Sequence, residues 1–528
     1  MTHLRRQADG WGLDGIAGPP GVSLFEHVGG LLPASGRGPL PAGGEPLPDE
    51  RDYGPDEVRF APGVQDAVIA DTEAGQGPIA AAAALLELLK APPTGSAMQA
   101  VLDRLGELSG PDDVDRLLTS VADGKPSRER LATTARWLCL NGTTRQVVKA
   151  GIALLGVSGT EDDAELIIRL GLLEELTLYA LVALQNLVAE PERLIFDLGQ
   201  QVSGWGRIHA VERLRETSDD EIRRWLLYGG YENDVMIEYT AFVAATTGGL
   251  RHALETSAQD DDDLLDHAGA ILYALCLGGP AESLSDYTDS AVVLADYLDR
   301  LDRAEATVTR LHQLVRVNLY LGDDEDENLH IDPAARERLQ DHASAILGKK
   351  DWVDLVRTTL ESDDLQVVSS VLTVAGWVEV PTEPVLWKWL RREPLASFLW
   401  YLLADDATRE DAQALSEAAA ELLPMERLAS GPERNLGFGA DYEADECLGY
   451  VVQGLKDHPG EGWPIIATAL RNRVTRNRNL AVRVLVRWPR QQWPQKAEPL
   501  LQEAFWTEPD ENVRALIRGA IDGQPLPD

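Results

Sequence analysis

The chain has 528 residues, of which 44% are hydrophobic, and a mean hydropathy of −0.19. That length exceeds one ordinary core, so several domains or an extended repeat array are expected, and no apolar run approaches the roughly 18 residues that span a bilayer. With 48 Lys/Arg against 87 Asp/Glu the net charge is −39, which opposes non-specific attraction to nucleic acid or anionic lipid.

Residues 1–55 hold 12 Gly and 8 Pro, 20 of 55 positions against 56 of the remaining 473. Such a composition predicts a flexible, largely irregular arm with one short ordered segment near Phe25. The opening "MTHLRRQADGWGLDG" lacks the apolar centre of a secretory signal. From about Gly77 the pattern is helical, as in "GPIAAAAALLELLKA" and "AELIIRLGLLEELTLYALVALQNLV", with apolar residues at i, i+3, i+4 and i+7. Long continuous helices are expected in the middle of the chain. Breaks look alike throughout. Helices close on glycine ("LCLNG", "LLGVSG", "AATTGG", "LCLGG"), where a left-handed C′ residue is expected. They open on acids ("GPDDVDRLL", "GTEDDAELI", "ESDDLQVV", "TEPDENVRAL"), which cap orphan amides and oppose the positive end of the helix dipole.

Within "GWGRIHAVERLRETSDDEIRRWLLYGG" (204–230), Ile208, Val211 and Leu214 share a face while His209 falls with Arg213 on the polar side. Ser218 to Glu221 reads as a capping box. A zinc protease would need a second histidine four residues on, so this stretch is helix punctuation rather than an acid–base site. The acid runs "QDDDDLLDH" and "GDDEDEN" lack the glycine and glutamate register of an EF-hand. Cys139, Cys276 and Cys447 stand far apart among apolar neighbours, as buried free thiols of a reducing, cytoplasmic compartment do. "NLGFGADYEADECLGY" fails as a haem-thiolate loop, because Phe438 lies nine residues before Cys447 and acids stand where a basic residue is needed. No phosphate-binding loop, dinucleotide fingerprint or nucleophile elbow occurs, so no catalytic, cofactor or metal residue is assigned and no cofactor is called for.

Two features after residue 350 stand out. "RNRVTRNRNLAVRVLVRWPR" (471–490) carries seven arginines and no acid. A helix through it stacks Arg483 and Arg487 at i, i+4 while Val482, Leu485 and Val486 face inward. These arginines either pair with acidic helix starts or meet an anionic ligand or partner segment, since their forks bind carboxylate or phosphate bidentately. In "VLWKWLRREPLASFLWYLL", Trp387 and Trp389 are two positions apart, so both cannot face one core, and one should line an interface near Arg391 and Arg392. The candidate partner or anion contacts are therefore Arg471, Arg473, Arg476, Arg478, Arg483, Arg487, Trp488 and Arg490, with Trp387, Trp389, Arg391 and Arg392.

"QVVKAGIALLG" (Gln146–Gly156) is similar to "QVVSSVLTVAG" (Gln366–Gly376), and "VRVLVR" (Val482–Arg487) to "VRALIR" (Val513–Arg518), 31 residues apart. With "DENVRALIRGA", these segments resemble HEAT and armadillo-type repeats. The resemblance implies an all-α solenoid of stacked antiparallel helix pairs with a concave binding face, and it implies no chemistry. The expected organisation is an arm over 1–55, helical repeats over 56–321, an acidic loop or linker over 322–335, and further repeats over 336–528. The expected role is a non-catalytic scaffold holding a protein or peptide partner, with no membrane contact and nucleic acid disfavoured. Two rivals are kept. Some HEAT-like proteins are DNA-repair glycosylases that use a basic concave face, and an acidic immunity or inhibitor protein could mask a basic partner.

Overall fold

The computed structural model describes residues 11–52, 59–68, 77–323 and 331–524. The protein is all-α and solenoid-like, 68% helical, with 29 α-helices and no strand among the described residues. It forms two compact units, which for the described residues are 11–52 with Phe60 to Lys349, and Arg59 with Lys350 onward.

In the N-terminal unit, helices alternate between two layers. Gly77–Lys90, Pro111–Asp123, Arg145–Ser158, Glu174–Leu187, Gly204–Arg213, Glu238–Thr246, Asp262–Leu277, Val308–Gly322 and Pro333–Leu347 form a series, each packed on the next. Arg128–Asn141, Ala164–Gly171 and Glu192–Gly199 lie beside them as antiparallel partners. In this arrangement a helix pair buries its apolar face only against neighbouring pairs. In the C-terminal unit the corresponding series is Ser397–Ala404, Glu443–Gly454, Thr475–Arg487 and Glu511–Asp522. The two segments matched at a spacing of 31 residues are thus successive members of one layer.

The helix starts follow local chemistry. Thr160 and Asp163 make a reciprocal capping box, Asp364 accepts from the amide of Gln366, and Asp510 accepts from those of Asn512 and Val513. Ser218 is not the cap expected of it. Asp219 accepts from the amides of Glu221 and Ile222 instead. The glycine stops divide into two kinds. Gly278 has φ +68°, a backbone conformation that glycine adopts without penalty, whereas Gly142 has an ordinary φ of −63°. At Gly142 the constraint is space, since a Cβ would meet Leu138 O and Val148 Cγ2 at 2.7 Å. The expected long middle helices are hairpins. Residues 164–187 break at Leu172–Leu173, and 290–322 break between Leu301 and Val308. Glycine at 171 lets the two helices pack closely after the first break, because a Cβ there would lie 2.7 Å from that of Ala180.

Residues 11–52 are largely irregular, as expected, with a helix at Leu24–Leu31 around Phe25, but the flexibility expected of the arm over 1–55 is corrected there, since they pack onto the N-terminal unit (residues 1–10 and 53–55 lie outside the described residues). Trp11, Leu13, Leu24, Val28, Leu40 and Leu47 are buried in its core. Trp11 Nε1 donates to Leu88 O at 3.2 Å, and Leu24 N donates to Gly142 O at 2.9 Å. These six side chains anchor the segment, and its glycines and prolines let the backbone turn between them. The acidic linker expected over 322–335 is also displaced. Residues 324–330 lie outside the described residues, and the helix Pro333–Leu347 packs on Val308–Gly322, within the N-terminal unit.

Candidate functional site

The arginine-rich stretch 471–490 serves two purposes. On one side its polar groups bind the fold together. Arg478 is fully buried and forks onto Glu508 at 2.6 and 2.7 Å while donating to the carbonyls of Asn472 and Arg473. Asn472, also fully buried, donates to Leu428 O and Asp445 Oδ1 and accepts from the amide of Val474 and from Asn477 Nδ2. Arg473 meets Asp445 at 2.9 Å and lies 4.2 Å from the centre of the Tyr442 ring. A buried charge is tolerated when paired and hydrogen-bonded this completely. Asn472, Asn477, Asp445 and Glu508 escaped the sequence reading. The only sequence signal was two asparagines five apart in a helix start, and their partners come from other helix pairs.

The remaining arginines are placed as follows. Arg471 pairs with Glu503 at 3.3 Å on the surface, and Arg490 pairs with Glu498 at 3.2 Å and donates to Ala520 O. Trp488 is buried with Nε1 on Leu455 O, so it packs and offers no contact surface. Arg476 stands 5.9 Å from the centre of the Tyr450 ring, which meets Tyr401 edge-on at 5.4 Å. Arg483 donates only to the neutral Asn479 Oδ1 at 2.8 Å and has no ion pair among the described residues. Arg487 pairs with Asp457 at 2.6 Å, both groups exposed.

Those last arginines border a groove. On Thr475–Arg487, the positions 476, 480, 483 and 487 follow one helical face, and on Glu443–Gly454 and its continuation 450, 453 and 457 follow another. Between them lies a groove of about 380 Å³ lined by Gln453, Lys456, Leu480, Arg483, Val484, Val486 and Arg487. Lys456, like Arg483, has no ion pair among the described residues, and Gln453 Nε2 is buried with no hydrogen-bond partner. Val486, expected to face inward, is half-buried at the groove, and Val484 takes the buried position because its side packs on the neighbouring helix.

Trp389 is buried with Nε1 unpartnered and Arg392 over its ring at 4.3 Å, and Arg392 also meets Asp363 at 3.3 Å. Trp387, half-buried, lines a second groove of about 500 Å³ with Arg391, Glu417, Glu421 and Leu422. Here two glutamates face the single Arg391, so the lining carries a net charge of −1 and no excess of cations.

In the N-terminal unit, Lys149 is buried between Asp66 at 2.5 Å and Glu175 at 2.6 Å, with Tyr179 Oη on Asp66, while Arg145 meets Asp49 and Glu50. Burial raises the Asp66 carboxyl above its ordinary value. Through Asp49, Glu50 and Asp66 this cluster ties segments 11–52 and 60–68 to the helices beneath. A pocket of about 450 Å³ beside it holds Glu174, Ser203, Trp205, Arg207 and Asp234, and burial raises the Glu174 carboxyl too. Ser203 Oγ donates to Asp234 at 2.5 Å, and Arg207 is committed to the carbonyls of Val202, Gly229 and Glu232.

His209 is not on a solvated side. Its Nε2 is buried without a partner, and burial, reinforced by Arg213, lowers its pKa to about 4. The Trp205 ring lies against it, with ring centres 6.1 Å apart. The cysteines are buried free thiols, and burial pushes Cys276 and Cys447 up to about 12, so they stay protonated. No group of three or more His, Cys, Asp or Glu able to hold a metal ion occurs among the described residues, and no helix there is long and apolar enough to cross a membrane.

No known family model matches the chain, and no curated protein is similar to it. A crystal structure of an engineered protein aligns over 84% of this chain and 98% of its own at 16% identity, with a TM-score of 0.24, a likeness that carries no argument.

Proposed function

We propose that the protein is a non-catalytic helical-repeat scaffold that holds a protein or peptide partner on the exposed helix faces of its C-terminal unit. One observation supports this reading above the others. Arg483 and Lys456 stand without an ion pair among the described residues beside the apolar strip of Leu480, Val484 and Val486, both exposed at the groove. Packing does not require those cations, and exposed charge flanking an apolar groove is what a partner surface needs. The three buried thiols suit a cytoplasmic setting. The glycosylase alternative loses support because most arginines of 471–490 are engaged in ion pairs or hydrogen bonds and are not available to phosphates. Affinity capture from the native host on immobilised wild-type chain and on Arg483→Glu/Arg487→Glu tests the proposal. A partner held by the wild type and lost by the variant is expected. A partner held equally by both moves the contact elsewhere, and retention on heparin at about 50 mM salt would revive the nucleic-acid reading.

A further inference from the structure

Resting on the scaffold reading above, we infer that the groove between Glu443–Gly454 and Thr475–Arg487 takes an acidic peptide segment of the partner, with carboxylates set beside aliphatic side chains. The polar lining determines the class. Arg483, Arg487 and Lys456 are exposed at the groove and can only donate. A ligand that satisfies this set must supply acceptors, preferably charged ones. The rest of the lining is aliphatic, and the half-buried Leu480 and Val486 gain only from an apolar group. A volume of about 380 Å³ lies at the lower end of the roughly 300–1,000 Å³ typical of ligand pockets and admits side chains rather than a folded domain.

Charge complementarity favours a short segment over a polyanion. Among the cations here, Arg487 already shares Asp457, an exposed pair of little energetic consequence that a ligand carboxylate can replace. A nucleic acid needs a long basic track, and beyond a Debye length of roughly 8–10 Å it would meet the field of a chain carrying −39. A peptide with a few acids ends within that distance. The edge-to-face pair of Tyr401 and Tyr450, topped by Arg476, extends the same helix faces and offers flat contacts for the flanking residues.

The test uses the full chain and fluorescence anisotropy of a fluorescein-labelled peptide repeating Asp-Leu-Glu-Leu. Control peptides carry lysine in place of the acids or serine in place of leucine, and heparin and duplex DNA serve as competitors. The inference expects saturable binding of the acidic peptide, weakened at least about tenfold by raising salt from about 50 to 500 mM. It expects at least about tenfold weaker binding to the serine control and to Lys456→Glu or Arg483→Glu/Arg487→Glu, whose exposed positions leave the circular dichroism unchanged. The lysine peptide should bind the double variant better than it binds the wild type. Failure of the acidic peptide to bind, equal binding to wild type and double variant, or displacement by DNA at lower concentration than by unlabelled peptide overturns the inference. If the acidic peptide fails while the host partner is still lost on Arg483→Glu/Arg487→Glu, the peptide class is wrong and the scaffold reading stands.

Discussion

The Gly/Pro-rich residues 11–52 and the Arg-rich residues 471–490 are the two most unusual compositions in the chain, and the fold uses each against its apparent nature. The first has the make-up of a loose tail yet seats Trp11, Leu24, Val28 and Leu40 in the core. The second has the make-up of an anion-binding surface yet buries Arg478 completely and leaves only Arg483 uncompensated at the groove. Composition reports what a segment could do alone. What it does depends on the partners that other helix pairs bring, and these differ between faces of one helix.

Substitutions can sharpen or break this contrast. The largest effect is expected at Arg478→Met, which strands Glu508 in the interior and should cost about 3–5 kcal/mol in denaturant unfolding. Arg478→Met with Glu508→Leu should recover much of that loss, and a double variant no better than the single one would show that the pair is not the unit that matters. Next is Trp11→Ala, expected to cost about 3 kcal/mol by the same measurement. If it costs nothing, residues 11–52 behave as the tail their composition implies.

A buried polar group without a partner gives a pH signature. The pKa of His209 in the folded chain is about 4, below its unfolded value near 6.5, so the unfolded chain takes up a proton first as pH falls. The stabilising effect of the neutral ring is complete above about pH 6.5 and is lost as pH drops toward 4, by about 2–3 kcal/mol. Unfolding of wild type and His209→Phe at pH 7 and pH 4.5 should therefore show a steeper acid loss for the wild type, and parallel curves would contradict the burial. The smallest effect is expected at Arg483→Ala, within about 0.5 kcal/mol of wild type, because the residue holds only Asn479. A loss as large as that at Arg478 would erase the distinction between the two faces.

The helix starts at Asp364 and Asp510 were legible because a cap links residues two or three apart, which a linear reading can see. The layer relation of Val482–Arg487 to Val513–Arg518 was legible for a similar reason, since repetition survives without contacts. The candidate site was legible only in part. Arg483 and Arg487 were placed together by helical spacing, but Gln453, Lys456 and Leu480 entered with the neighbouring helix, and Arg478, Trp488 and Trp389 left for the interior.

The amino-acid sequence by itself determined that this protein is helical, where many of its helices begin, and that similar pairs recur, because propensity, capping and periodicity act over a few residues. Tertiary structure alone decided which arginines are buried, whether the glycine-rich leader docks, and which cations face a groove. Burial is a relation between segments far apart in the chain. Glu508 lies 30 residues from Arg478, and Leu88 lies 77 from Trp11.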